Sequence, residues 1–178
     1  MIVARGRALK QSHAALFASL EQRYGVPPGP LLAIWGMETS FGQQRGNQHT
    51  LSAVATLAYD CRRSAFFTEQ LYAPLTLIDR SVLSADARGS MHGEIGQTQL
   101  LPKSILNFGT GGDLNNSANA LASTANFLKA HGWRGCRLPT WRNRFQAIQA
   151  WNAASVYQHA IALIGQQIDE RKGATARR

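Results

Sequence analysis

The chain has 178 residues, of which 44% are hydrophobic and only 16% are charged. This length and composition suit one globular domain with a continuous core, so we predict a single domain over residues 1–178 with frayed ends at 1–6 and 172–178. Nineteen Lys and Arg residues against ten Asp and Glu residues give a formal charge of +9. Such a charge favours an anionic partner, which could be nucleic acid, anionic lipid or a carboxylate-bearing glycan.

The first ten residues contain two arginines and no apolar stretch as long as the core of a secretory signal. No later run is long and apolar enough to span a bilayer, so we expect a soluble chain with no visible signal peptide and no integral membrane segment. The two cysteines, Cys61 and Cys136, do not define a disulfide framework. Buried free thiols are the favoured interpretation, because a sequence does not supply the geometry of a disulfide.

Apolar residues recur at helical spacing along almost the whole chain, and no stretch shows sustained strand-like alternation. We therefore predict an all-α fold. Gly25 and the pair Pro27-Pro28 should end the first helix, and Pro74 should bend the fourth. The glycine-rich, polar residues 84–96 are predicted to form a loop. The predicted helices span residues 8–24, 30–39, 51–59, 64–80, 102–107, 117–130, 144–150 and 155–171.

Glu38 occupies an unusual position for one of only ten carboxylates. Leu31, Ile34, Trp35 and Glu38 follow helical spacing, so the glutamate extends an apolar stripe. Desolvation and the helix dipole both disfavour an anion near the end of a helix, which suits a group that donates and accepts protons. The alternative is that Glu38 points from the last turn into water.

Five segments decide between these alternatives: YGVPPGPLLAIWGMETSFG (24–42), LSAVATLAYDCRRSAFF (51–67), GSMHGEIGQTQLLPKS (89–104), ANALASTANFLKAHGW (118–133) and WNAASVYQHAIALI (151–164). In this order they resemble the B-type lytic murein transglycosylases. The resemblance implies a lysozyme-like helical domain with a glycan-binding cleft. It also implies cleavage of the MurNAc–GlcNAc β-1,4 bond of peptidoglycan with formation of 1,6-anhydro-MurNAc ends. Glu38, in the E-T-x-x-G run, would be the catalytic acid and base.

The resemblance further assigns substrate-binding roles to several polar residues. Ser90 would be a hydrogen-bonding neighbour of Glu38, and Gln99, with Gln97 beside it, would contact the sugar next to the scissile bond. Asn152 and Tyr157 match the terminal motif of the family and would line the same cleft. Alternatives remain open, since Ser90 could cap its loop, Gln97 and Gln99 could solvate a helix start, and Asn152 could cap the last helix.

Aromatic residues could also contact the sugar rings in the cleft. Phe41, Trp151 and Tyr157 could stack on pyranose rings, although aromatic residues at helical spacing more often belong to the core.

Glu94 departs from the family pattern, because the run HGEIG (92–96) carries it where a small residue is usual. It could obstruct the cleft or supply a second carboxylate. A retaining glycosidase needs a second carboxylate about 5 Å from the first. A lytic transglycosylase does not, since the C6 hydroxyl of muramic acid attacks its own anomeric carbon.

Other departures concern metals and the length of the groove. Residues 108–115 replace a calcium-like loop of longer relatives and contain one carboxylate, so we predict no metal and no cofactor. Few residues separate Trp133 from Asn152, and the usual N-terminal portion of the family is absent, which predicts a shorter groove.

The sequence leaves competing functions open. Peptidoglycan glycan strands are the predicted partner, and the bacterial envelope or periplasm is the location that the resemblance implies. A lysozyme-type hydrolase and a degenerate peptidoglycan-binding module are the alternatives. Nucleic acid is not an expected partner, although four arginines interleave with Trp133 and Trp141 in a way that could bind a single strand. These arginines are Arg134, Arg137, Arg142 and Arg144.

Overall fold

A computed structural model describes residues 1–133 and 141–170 of the protein, and helices dominate these residues. In chain order the elements are α1 (Ile2–Ser12), α2 (Ala14–Tyr24), α3 (Pro28–Thr39), β1 (Gln48–His49), α4 (Thr50–Tyr59), α5 (Ser64–Asp79), β2 (Arg88–Gly89), α6 (Pro102–Phe108), α7 (Ser117–Ala130), α8 (Trp141–Trp151) and α9 (Ser155–Asp169). They divide into two compact units, one formed by residues 1–37 and 128–178 and the other by residues 38–127. The boundary falls inside α3, directly before Glu38. The predicted single domain stays a prediction.

The first helical segment differs from the prediction in two respects. It is two helices, which meet at His13, whose φ of −115° and ψ of 33° are not helical. Ser12 Oγ and His13 Nδ1 lie 2.9 Å apart, a local polar contact of the kind that competes with the backbone ladder. The prediction that residues 1–6 are frayed also needs correction, because α1 begins at Ile2 and Gly6 is buried. A Cβ at Gly6 would approach Ile168 Cδ1 to 2.6 Å, so α1 packs closely on α9 there.

The end of α2 follows the prediction. Gly25 adopts the left-handed conformation with a φ of 71°, and its N–H donates to Glu21 O. This backbone conformation carries almost no steric cost for glycine, which has no Cβ.

The start of α3 is held by a residue far along the chain. The backbone N–H of Gly29 donates to both carboxylate oxygens of Asp169, at 3.0 and 3.1 Å, and Lys10 Nζ lies 2.6 Å from Asp169 Oδ1. Gly29 and Gly165 lie against each other, since a Cβ at Gly29 would come within 2.2 Å of Gly165 O. The carboxylate therefore satisfies a backbone donor at a helix start, where the helix dipole also favours a negative charge.

The unit of residues 38–127 is built on the packing of α5 against α4 and α6. Pro74 is buried inside α5, and the helix continues through it to Asp79. The core of this unit includes Val54, Phe67, Leu77 and Ile105, each at most 7% exposed. This packing fixes the framework that carries the loops between β1 and α6.

The described residues contain one two-stranded antiparallel sheet, and part of it lies in the segment predicted as a loop. Gln48 pairs with Gly89 and His49 with Arg88. Gly46, with a φ of 80°, allows close approach, because a Cβ there would meet Gly89 O at 2.2 Å. An isolated bridge joins Ile95 and Leu100.

Cys61 corrects the expectation of two buried thiols. It is a free but exposed cysteine in the turn between α4 and α5, where little packs over the side chains. Cys136 lies outside the described residues.

Candidate active site

Glu38 lies in the last turn of α3, a helix whose residues from Pro28 to Gly36 are all buried. Leu31, Ile34 and Trp35 are buried as predicted, but Leu32 and Ala33 on the other sides are equally inaccessible. The helix therefore has no single apolar face, and a stripe is not what distinguishes Glu38. What distinguishes it is position, because Glu38 is half-buried at the point where a fully enclosed helix meets a surface turn.

The turn after Glu38 has an unusual backbone. Ser40, Phe41 and Gly42 have φ values of 51°, 59° and 85°, so three consecutive residues occupy the left-handed region. For Ser40 and Phe41 this conformation has a steric cost, and it persists only where surrounding contacts hold it. Such strained segments are frequent at active sites.

Thr39 provides contacts that hold this turn. Its side chain is fully buried, and its Oγ1 donates to Gln97 O at 2.6 Å and accepts from Gly42 N at 2.8 Å. The backbone O of Thr39 also accepts from Gln44 N at 2.9 Å. The residue after the candidate catalytic glutamate thus joins the end of α3 to the loop of residues 89–104, the second motif of the family pattern. The sequence contained Thr39 within the E-T-x-x-G run, but nothing in it indicated this partner.

Gln97 extends the connection further along the chain. Its backbone N–H donates to Leu114 O at 3.0 Å, and its Nε2 donates to Asn115 O at 2.8 Å. A Cβ at Gly42 would lie 2.0 Å from Gln97 Oε1 and would displace this side chain, and the φ of 85° also favours glycine. The loop around Gln97 is held between the turn after α3 and residues 114–115.

Gln99 also has a left-handed backbone, with a φ of 56°. Its Nε2 donates to Gly96 O at 2.8 Å and to Arg45 O at 3.2 Å. The side chain therefore holds the loop, and its role as a sugar contact stays a prediction.

Ser90 has a different partner from the one that the resemblance implied. Its Oγ donates to Glu94 Oε2 at 2.9 Å and accepts from His92 N and Glu94 N at 3.1 and 3.2 Å. A hydroxyl has one proton to donate, so the Ser90 hydrogen bond goes to Glu94 rather than to Glu38. Ser90 caps its own loop, which is the alternative left open above.

Glu94 is half-buried, and this loop accounts for several of its contacts. Besides the bond to Ser90, its backbone O accepts from Ser90 N at 2.9 Å. A Cβ at Gly89 would approach Glu94 O to 2.0 Å, so the loop packs tightly around it. The contacts favour a structural role for the Glu94 carboxylate.

The aromatic candidates differ in exposure. The Phe41 side chain is only 8% exposed, which favours packing over stacking on a sugar. Trp133 is 5% exposed and donates from Nε1 to Gly25 O at 3.1 Å, so its ring is part of the core rather than a platform for nucleic acid bases. Arg134 and Arg137 lie outside the described residues.

Asn152 and Tyr157 belong to the unit of residues 1–37 and 128–178. Asn152 Oδ1 accepts from Ala154 N at 2.9 Å, directly before α9, and Asn152 O accepts from Gln158 Nε2 at 3.0 Å. These contacts organise the turn that begins α9, and Trp151 and Tyr157 are half-buried beside it in sequence. Substrate contacts by Asn152 and Tyr157 stay a prediction.

The loop of residues 108–115 does not have the donors of a calcium site. Calcium takes six to eight oxygen ligands, several of them carboxylates. Asp113 is the one carboxylate here, and its Oδ1 already accepts from the backbone N and Nδ2 of Asn115 at 2.8 and 3.1 Å. Elsewhere in the described part of the chain, no three His, Cys, Asp or Glu side chains cluster as metal ligands.

Within residues 1–133 and 141–170, every helix is too short or too polar to cross a bilayer.

Sequence comparison gives the arrangement a family context. Residues 1–142 match the sequence model of the family described as Transglycosylase SLT domain. Membrane-bound lytic murein transglycosylase B of Escherichia coli (strain K12) is 35% identical over 120 residues, which are 63% of this chain and 33% of that protein. The chain therefore spans about a third of this relative's length.

Solved structures agree on the fold. SltB3 from Pseudomonas aeruginosa in complex with NAG-anhNAM-pentapeptide is 26% identical, with a TM-score of 0.83 over 94% of this chain and 63% of that one. Escherichia coli Slt35 in complex with calcium is 21% identical, with the same TM-score of 0.83 over 94% of this chain and 74% of that one. These matches confirm the predicted all-helical, lysozyme-like fold and the resemblance to lytic transglycosylases.

Proposed function

Because the chain belongs to the family described as Transglycosylase SLT domain, we propose that it is a lytic transglycosylase of peptidoglycan that uses Glu38 as its acid and base. It would cleave the MurNAc–GlcNAc β-1,4 bond and leave 1,6-anhydro-MurNAc ends. One observation carries the assignment to Glu38. This half-buried carboxylate follows a fully enclosed helix and precedes a strained turn that Thr39 connects to the second motif.

The reaction requires one proton donor that later becomes a proton acceptor. The Glu38 carboxyl gives its proton to the glycosidic oxygen as the bond from this oxygen to C1 of MurNAc breaks, and the GlcNAc-containing part leaves as an alcohol. The Glu38 carboxylate then takes the proton of the C6 hydroxyl while that oxygen bonds to C1. The substrate's acetamido group assists. Glu38 thus ends the reaction protonated, as it began.

The chemistry does not need a second charged group, because the nucleophile belongs to the substrate. Holding the C6 hydroxyl in line with C1 is a problem of orientation, which a fixed cleft solves. The hydrogen bonds of Thr39, Gln97 and Gln99 support this proposal, since they fix loops adjacent to Glu38. Gln97 and Gln99, with Asn152 and Tyr157, are the proposed substrate-binding residues.

The proposed substrate also fits the charge of the chain. Peptidoglycan carries lactyl and peptide carboxylates, and a protein with a formal charge of +9 attracts such a polymer at low salt. The relative from Escherichia coli is named as membrane-bound. We place this chain in the bacterial envelope or periplasm by analogy with it.

The test is a digest of purified sacculi with products identified by mass spectrometry. A transglycosylase releases muropeptides with anhydro ends, whereas a lysozyme-type hydrolase releases reducing ends. A degenerate binding module releases nothing although it binds the sacculi. Anhydro products are the expected result, and either other outcome would refute the proposed reaction.

The variant Glu38→Gln tests the residue itself. It keeps the shape of the side chain but removes the transferable proton, so release should fall by at least about 10²- to 10⁴-fold while the melting temperature and sacculus binding are kept. Glu21→Gln makes the same change at an exposed position of α2 and should leave turnover unchanged. A folded, binding-competent Glu38→Gln protein with wild-type turnover would contradict the assignment.

A further inference from the structure

The unit of residues 38–127 contains a concave site whose lining does not include Glu38, Ser90, Gln97 or Gln99. It is a cavity of about 680 Å³. The volume lies within the range of about 300–1,000 Å³ that is usual for sites that bind small molecules and short peptides. Its walls come from the end of α5, the segment before β2, α6 and the glycine-rich loop at residues 109–115.

The walls are mainly apolar at their base. Leu77, Ile95, Ile105 and Leu114 form a tightly packed base and are at most 8% exposed. Above them, Val82, which is 53% exposed, and the half-buried Leu83 and Leu106 offer apolar surface to a ligand. Gly111 opens one side, since a Cβ at this residue would meet nothing within 4 Å. An apolar base of this kind suits aliphatic side chains rather than a sugar ring, whose hydroxyls require hydrogen-bond partners.

The polar part of the lining is cationic. Arg80 and Arg88 both line the cavity and are exposed, and within the described residues neither has a carboxylate partner. Arg88 donates one N–H to Asn47 O at 3.0 Å, which leaves further guanidinium donors available. Asp113, the one acidic residue in the lining, already accepts hydrogen bonds from Asn115. The unpaired charge at the cavity therefore favours a carboxylate.

The cavity is also connected to the loop of the second motif. Leu114 and Asn115 line it, and their backbone oxygens accept hydrogen bonds from the backbone N and Nε2 of Gln97. A ligand in the cavity would thus lie one hydrogen-bonded layer from Gln97.

We infer that this cavity binds a short peptide with free carboxylates, namely the stem peptide of peptidoglycan. Aliphatic side chains of the peptide would occupy the apolar base, and its carboxylates would bind Arg80 and Arg88. The identity of the peptide rests on the proposed function, whereas the preference for an amphipathic anion rests on the cavity alone.

Isothermal titration calorimetry on the full chain tests the inference with a synthetic, sugar-free stem peptide and with its amidated counterpart. The free acid should bind, and the amidated peptide should bind much more weakly. Arg80→Gln and Arg88→Gln should each weaken binding about three- to ten-fold, since each removes a charge-assisted contact that solvent partly screens. Val82→Trp should also weaken peptide binding. Val82 lines the cavity and is 53% exposed, so the larger tryptophan side chain would fill part of the cavity without altering its charge.

Arg62→Gln is the matched control for charge. Arg62 is exposed and does not line the cavity, and its hydrogen bond to Asp60 lowers the pKa of that carboxyl to about 2. This variant should bind the peptide as the wild type does. Absence of peptide binding, equal binding of the amidated peptide, or equal losses in Arg62→Gln and Arg80→Gln would each overturn the inference.

Cleavage of peptide-free glycan strands separates this inference from the proposed function. Arg80→Gln and Arg88→Gln should cleave such strands at the wild-type rate, and Glu38→Gln should still bind the peptide. Peptide binding by a protein that does not cleave these strands would remove the proposed reaction but keep the cavity site. Cleavage without peptide binding would do the opposite.

Discussion

Replacing Thr39 by valine removes the hydroxyl that joins the end of α3 to the second motif while keeping the shape of the side chain. Oγ1 makes hydrogen bonds to Gln97 O and Gly42 N, and the side chain is fully buried. Each bond contributes about 1 kcal/mol, and a buried partner left unsatisfied adds a desolvation cost. Because Gly42 and Gln97 are themselves half-buried, we expect a total loss of about 2–3 kcal/mol.

The loss is measured as a change in melting temperature. For a chain of this size about 1 kcal/mol lowers the melting temperature by about 2–4 °C, so Thr39→Val should melt about 4–12 °C lower. Thr39→Ser keeps both hydrogen bonds and loses only a buried methyl group, which costs about 1 kcal/mol. The serine variant should therefore lie between the wild type and the valine variant.

Activity distinguishes a positioning role from a purely structural one. If Thr39 holds the turn that positions Glu38, Thr39→Val should lower kcat more than it raises KM, and Thr39→Ser should restore most of kcat. The assay is release of anhydro-muropeptides from sacculi well below the melting temperature of each variant. Equal melting temperatures and equal kcat values for the two variants would refute the reasoning.

Three further predictions follow from contacts elsewhere. Glu94→Ala removes the bond from Ser90 but no reacting group, so mass spectrometry should still find anhydro products and no reducing ends, with any loss of rate arising from the loosened loop; reducing ends in the wild type that disappear in the variant would contradict this. Asp169→Ala leaves Gly29 N without its acceptor and should cost about 1–2 kcal/mol in urea unfolding, with Asp169→Asn intermediate; an unchanged midpoint would contradict the capping role. Chelators should leave the melting temperature unaltered, because the loop at residues 108–115 has too few oxygen donors for calcium, and a drop reversed by added calcium would show otherwise.

The features that the sequence predicted well are those fixed by local chemistry. Gly25 and the following prolines end α2 where expected, because a left-handed glycine and a residue without an N–H each act within one turn. The helical segments beyond residue 50 also lie within a few residues of the prediction, since they carry long periodic patterns. The E-T-x-x-G motif indicated Glu38 more strongly than its apolar stripe did, and its catalytic role stays a prediction.

The features that were missed depend on partners far along the chain. Thr39 and Gln97 are 58 positions apart, and Gly29 and Asp169 are 140 apart, so no local pattern connects them. The strands β1 and β2 have two residues each, which is too short for alternation to appear. Ser90 donates to Glu94, a partner that the resemblance did not indicate because Glu94 departs from the family pattern.

The contacts of Glu94 bear directly on the choice between one and two catalytic carboxylates. A hydrolase would need the second carboxylate free to reach the anomeric carbon or a water beside it. Glu94 Oε2 instead accepts from Ser90, whose Oγ also accepts the backbone N–H groups of His92 and Glu94, so moving the carboxylate would leave this loop without its central hydrogen bond. At Glu38 a neighbouring residue makes the corresponding contacts, because Thr39 holds the strained turn that follows the glutamate. Glu94 therefore holds a loop, and these contacts favour the proposal that Glu38 acts as the single acid and base.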